Sequence, residues 1–245
     1  MLEIKNLSKA YKAAKGQIHK AVDGLNLHVK PGDIYGFIGH NGAGKTTTLR
    51  CVAGSLAFDE GEILVDGVSF ANDPIGCKRR MAYVQDNPEL YDNLTAYKYL
   101  KFIADVYQVH SDAVKSRVEY FAGGFEILDK LGDPIGSYSH GMKQKLALIA
   151  ALIHEPKLLM LDEPFVGLDP KAYVTLRGFI GEIRERGGAI FFSTHVLDVA
   201  EKICNRVAII KNGKLIIEGD MQTVKGDTSL ENVFLELTED TANGD

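Results

Sequence analysis

Two short stretches of this 245-residue sequence carry residue types that can hold and cut a phosphate chain. Gly39-His40-Asn41-Gly42-Ala43-Gly44-Lys45-Thr46 satisfies G-x-x-x-x-G-K-[ST] and stands after a predicted strand and before a predicted helix, the context the pattern requires. Glycines let the backbone wrap closely around phosphate oxygens with successive N–H groups pointing inward, and the following helix adds its positive end. In such a loop Lys45 reaches the β and γ phosphates and the Thr46 hydroxyl ligates magnesium; residues Gly39 to Thr47 are the candidate binding set.

The second stretch, Leu158-Leu159-Met160-Leu161-Asp162-Glu163, is an apolar run ending in two carboxylates. A hard cation between phosphates needs anionic oxygen at the end of a neighbouring strand, and Asp162 can supply it directly or through water. Glu163 is then left to orient and deprotonate an attacking water. Alone, an Asp-Glu pair after a strand is more often a helix cap or a surface pair. The phosphate loop in the same chain turns the reading toward catalysis.

The elements that must position these residues read as an α/β chain. Four compact apolar runs, Ile34 to Ile38, Met81 to Val84, Leu158 to Leu161 and Ala189 to Phe192, fit strands buried on both faces of a mainly parallel sheet. Leu2-Glu3-Ile4 and Leu25 to Val29 alternate, as short half-buried antiparallel strands do. Val207 to Ile210 and Leu215 to Ile217 flank Asn212-Gly213, a hairpin signal. Between Gln85 and Tyr138 the apolar residues Leu94, Tyr97, Leu100, Phe102, Ile103 and Val106 take helical spacing, which predicts a helical lobe inserted into the core. The expected organisation is one domain: a core with its antiparallel β subdomain over 1–86 and 154–225, a helical subdomain over 87–153, and a C-terminal segment over 226–245. The tail from Glu239 lacks large apolar residues and is expected to fray.

Composition narrows the function classes. Against 33 acidic residues there are 28 basic ones, a net charge of −5, so a phosphate-covered nucleic acid is not the expected partner. No apolar stretch approaches the roughly 20 residues needed to cross a bilayer, and the alternating N-terminus lacks the apolar core of a signal peptide. The expectation is a cytoplasmic chain. Cys51, Cys77 and Cys204 are too widely spaced for a Cys-x-x-Cys pair and are expected to be buried free thiols.

Ser139-His140-Gly141-Met142-Lys143-Gln144, just before the helix that leads to the Asp162 strand, resembles the signature motif of the ABC (ATP-binding cassette) family. The resemblance runs from Tyr11 to about Gly219. Gln85 is similar to the Q-loop glutamine, Gly167-Leu168-Asp169-Pro170 to the D-loop, His195 to the switch histidine and Tyr11 to the aromatic residue that stacks on adenine. The signature departs from Leu-Ser-Gly-Gly-Gln at Tyr138, His140 and Met142, as drug-export cassettes do, while Ser139 and Gly141 keep the hydroxyl and the unhindered N–H.

The resemblance implies the ABC ATPase fold, a P-loop NTPase core carrying an antiparallel β subdomain and a helical subdomain. It implies ATP and Mg2+ as cofactors, with Thr46, Gln85 and Asp162 toward the metal, Glu163, His195 and Gln85 in catalysis, and Tyr11 and Asp169 among the nucleotide contacts. A second cassette, identical or different, would complete each site with Ser139 and Gly141. The chain would sit at the inner face of the cell membrane against a separate membrane-spanning permease, with Leu90 and Tyr91 in the contact. Export is favoured over import, in part by the closing segment Ser229 to Thr238. The alternative the resemblance leaves open is a non-transport cassette, such as an iron–sulfur cluster assembly ATPase.

Overall fold

The computed structural model describes residues 1–12 and 18–239. Its centre is a six-stranded sheet built from β3 (Ile34–Ile38), β6 (Met81–Val84), β7 (Leu158–Asp162), β8 (Ala189–Thr194), β9 (Arg206–Lys211) and β10 (Lys214–Asp220), in the order β10-β9-β3-β8-β7-β6. The pairings are parallel except for β10, which returns antiparallel beside β9 through Asn212 and Gly213, both at positive φ. That backbone is the one a two-residue hairpin with the strands' own twist requires.

Every residue of β3, β7 and β8 is buried, which is why these strands read as unbroken apolar runs. Alternation survives inside them. Ile34, Ile38, Leu159, Leu161, Ile190 and Phe192 join the core toward the helices, and Tyr35, Phe37, Leu158, Met160 and Phe191 join a second core toward the antiparallel sheet.

That second sheet has the order β2-β1-β4-β5, from β1 (Leu2–Lys12), β2 (Ile18–Val29), β4 (Glu60–Val65) and β5 (Val68–Ser69). β1 and β2 are much longer than the short segments expected from alternation. Register shifts between Ile4 and Ala10 put one extra residue into β1 and two into the facing part of β2, so side chains change face and the two-residue period is lost. Asn6 sits at positive φ there and donates its N–H to Asn26 Oδ1 at 2.9 Å.

The helices are α1 (Lys45–Val52), α2 (Pro74–Arg80), α3 (Ala96–Val106), α4 (Ser111–Gly124), α5 (His140–Leu152), α6 (Pro170–Glu185), α7 (Leu197–Ile203), α8 (Met221–Lys225) and α9 (Leu230–Glu239). On α3 the buried face differs from expectation. Ala96, Tyr99, Leu100 and Ala104 face the core, with Ile103 partly buried, whereas Tyr97, Phe102 and Val106 are exposed. Small alanines fill the close approach and leave the larger side chains outside, an exchange that hydropathy alone does not show.

α9 occupies the expected C-terminal amphipathic segment and anchors through buried Leu230 and Phe234. The expected fraying beyond Glu239 lies outside the described residues. All three cysteines are buried and free. Among the described residues no helix is long and apolar enough to cross a membrane.

Candidate active site

The phosphate loop joins the end of β3 to α1, at the carboxyl edge of the parallel strands where α/β sheets take their ligands. Its glycines are dictated by neighbours. At Gly44, φ +108°, a Cβ would lie 2.2 Å from the Ala21 carbonyl oxygen, and at Gly39 it would lie 2.6 Å from that of Ile210. Gly213 N donates to Ala43 O at 2.9 Å, so the β9–β10 hairpin braces the loop from behind. Lys45 is 6% exposed, and its ammonium donates to the carbonyls of Gly39 (2.7 Å) and His40 (3.2 Å).

The acids stand opposite. Asp162 ends β7, is buried, and accepts a hydrogen bond from Ser193 Oγ on the neighbouring β8, its register partner. Glu163 turns out of the strand at φ +48°, a left-handed conformation that costs a non-glycine residue about 1–2 kcal/mol. Two acceptors hold its N–H there, the Ser193 carbonyl at 3.2 Å and the Ser193 hydroxyl at 3.3 Å. The turn aims the carboxylate at both bases of the site. Glu163 Oε1 lies 3.6 Å from Lys45 Nζ and 2.9 Å from His195 Nδ1, while Oε2 accepts from the His195 N–H at 3.3 Å.

Between loop and acids lies a cavity of about 350 Å³, lined by Asn41, Gly42, Gly44, Lys45, Thr46, Thr47 and Glu163 together with Tyr11 and His19. Tyr11 is 41% exposed and pairs across the sheet with His19, so an aromatic face stands at the cavity for a flat ring to stack on. Gly39, His40 and Ala43 belong to the same loop but shape it from outside the lining. The oxygen donors, Thr46, Glu163 and the nearby Asp162, fit a hard divalent cation. Among the described residues no three acidic, His or Cys side chains close into an all-protein cage. Magnesium suits such a place, since it binds through one or two carboxylates plus substrate phosphates.

Two expectations are placed differently. Gln85, expected at the metal, lines a separate cavity beside Tyr107 and His154; the residue in the phosphate cavity is Asp86. Val84 pairs with Leu161 in the parallel β6–β7 ladder, which brings the chain just after Val84 to the same sheet edge as Asp162. Partial burial, then the negative charges of Asp162 and Glu163, raise the Asp86 carboxyl above its ordinary range, with His140 and His195 acting the other way.

Asp169, expected at the nucleotide, is the N-cap of α6: Oδ1 accepts from Ala172 N at 2.8 Å and Oδ2 pairs with Lys145 Nζ at 2.6 Å. Ser139 caps α5, accepting from Met142 N at 3.3 Å, and neither it nor Gly141 lines this chain's cavity. His19 and Ala21 line the cavity and were missed, because only the β1–β2 pairing brings them there.

Comparison with known proteins gives the same answer as the geometry. Residues 22–166 match the family model described as ABC transporter. The chain is 32% identical over 247 residues to the ABC-type transporter ATP-binding protein EcsA of Bacillus subtilis (strain 168), covering 99% of this chain and 98% of that one. It is 40% identical over 200 residues to the bacitracin transport ATP-binding protein BcrA of Bacillus licheniformis, covering 81% and 64%. A solved ATP-binding subunit of an ABC transporter superposes with a TM-score of 0.91 at 32% identity, over 97% of this chain and 99% of that one. With a phosphate loop, a strand-end acid pair and a switch histidine on that fold, the chain belongs to the ABC transporter family as an ATP-binding ATPase cassette.

Proposed function

We propose that this chain is the motor of an exporter, driving a separate membrane-spanning permease by ATP-dependent closure of a head-to-tail pair of cassettes. The observation that carries the pairing is that Ser139 and Gly141 start α5 outside the cavity holding Lys45, Thr46 and Glu163. A helix N-terminus with a serine hydroxyl and an unhindered N–H suits an anion, and here it lies outside the lining of its own chain's phosphate cavity. A second subunit's γ-phosphate is the natural occupant. The cassette MJ0796, solved as a dimer, shares the fold with a TM-score of 0.82 at 23% identity.

In the closed pair Lys45 exchanges its Glu163 contact for the β and γ phosphates, and Tyr11 stacks on the adenine. The freed Glu163 carboxylate takes a proton from water as its oxygen attacks the γ-phosphorus; ADP leaves with the bridging oxygen. His195 holds Glu163 through the Nδ1 and backbone contacts. Thr46 and Asp162 would hold Mg2+, whose charge offsets that of the phosphates.

The surface for the permease is the exposed apolar group Tyr91, Phe102 and Val106, in which the rings of Tyr91 and Phe102 meet edge to face with centroids 6.2 Å apart. Export is favoured by the likeness to BcrA, a bacitracin transport protein. Leu90, beside them, is partly buried in the helical core.

The experiment is affinity purification of the tagged chain from gently solubilised native membranes, with partners identified by mass spectrometry. A co-purifying multi-span permease is expected, and Tyr91→Asp with Phe102→Asp should release it. Recovery with soluble partners alone would contradict the transport reading.

A further inference from the structure

Asp86 is a carboxylate for which the reaction just described has no use. It lines the same cavity as Lys45, Thr46 and Glu163. Among the described residues, no hydrogen bond or ion pair engages its carboxylate. The lysine that could balance it is already committed, since Lys45 is 3.6 Å from Glu163 and bonded to two loop carbonyls. Two carboxylates, Asp86 and Glu163, line the cavity with one lysine, Lys45, and Asp162 stands nearby, so the acids outnumber the lysine around a cavity that must receive a polyanion.

We propose that Asp86 makes this cavity discriminate metal-bound from metal-free nucleoside triphosphate, its unpaired carboxylate repelling bare phosphate oxygens and offering a hard oxygen to the divalent cation. The inference rests on the nucleotide reading of the cavity and adds to it a residue and a selectivity. A neutral amide at the same place would accept the metal through its carbonyl but would exert no such repulsion. Selectivity therefore depends on the charge of residue 86, not on its ability to ligate. Asp86 belongs to neither apolar core, so replacing it leaves the folding core untouched.

The test is calorimetric binding of the non-hydrolysable analogue AMP-PNP to the full chain, once with EDTA and once with MgCl2 or MnCl2, for the native protein, Asp86→Asn and Asp86→Glu. Asp86→Asn is expected to bind the metal-free analogue about tenfold more tightly and the metal complex several-fold more weakly, because one unit charge near the phosphates has been removed. Asp86→Glu, which keeps the charge, should keep the native ratio of the two affinities. If Asp86→Asn leaves that ratio unchanged, whether or not both affinities move together, the inference fails while the nucleotide reading stands. No binding by the native chain in either buffer would overturn both.

Discussion

The ring of Phe234, on the C-terminal helix α9, packs edge-on against the ring of His40 in the phosphate loop, centroids 4.7 Å apart and planes 63° to one another. α9 is also tied to α7, the helix that follows His195, because Glu201 of α7 accepts from both Lys225 Nζ (2.6 Å) and Leu230 N (2.9 Å). The C-terminal segment thus touches the phosphate loop directly and is tied to the helix that follows His195. Phe234→Ala should cost about 3 kcal/mol of stability, a typical cavity penalty for a buried aromatic ring, and should weaken ATP binding. Phe234→Tyr should restore most of both. Chemical denaturation and nucleotide titration of the two variants check this.

His154 gives the fold a pH dependence away from the site. It stacks on Tyr107 with centroids 3.7 Å apart and meets the Met81 carbonyl through Nε2 at 3.3 Å. Burial, the largest influence on it, brings its pKa down from 6.5 to about 4. Because the folded pKa lies below the unfolded one, the unfolded chain takes up the proton first as pH falls. Stability from this group is complete above about pH 6.5 and is lost toward pH 4, by roughly 3 kcal/mol. His154→Gln, neutral throughout, should remove that part of the acid sensitivity when urea midpoints are compared at pH 7 and pH 4.

Gly44→Ala should disable the loop without unfolding the chain. The added Cβ meets the Ala21 carbonyl at 2.2 Å on a backbone at φ +108°, so the loop must move. The loss of one or two hydrogen bonds to charged phosphate should weaken ATP binding about tenfold or more. A fluorescent ATP analogue would report it; native affinity would show that the loop tolerates the shift.

Asp169 separates a capping role from a nucleotide role within one chain. Asp169→Ala should lower stability by about 1 kcal/mol through loss of the α6 cap. Asp169→Asn, which can still cap and gives up only a half-exposed ion pair, should change it by a few tenths of a kcal/mol. ATP affinity of the single chain should be native in both, as titration of each variant will tell.

What the sequence disclosed follows from how local each signal is. The phosphate loop, the Asp162 strand and the Asn212-Gly213 hairpin are contiguous, and their chemistry and backbone demands are written in adjacent residues. Gln85 and Asp86 line different cavities because successive residues at a strand end point to opposite sides, a placement that residue type does not record. His19 reaches the cavity only through its partner Tyr11 across a bulged ladder. The outward turn of Phe102 and Val106 depends on Ala96 and Ala104 taking the close contacts, a tertiary choice that hydropathy does not record. The relation of Glu163 to His195, 32 residues apart in sequence, likewise exists only once β7 and β8 lie side by side.

The central claim is that Glu163, held between Lys45 and His195, is the base that activates water. Its most direct measurement is ATP turnover of Glu163→Gln alongside light scattering in ATP. Turnover should fall by at least about a hundredfold while ATP still binds, and the variant should accumulate as a nucleotide-bound pair of cassettes. Native turnover in that variant would remove Glu163 from the chemistry.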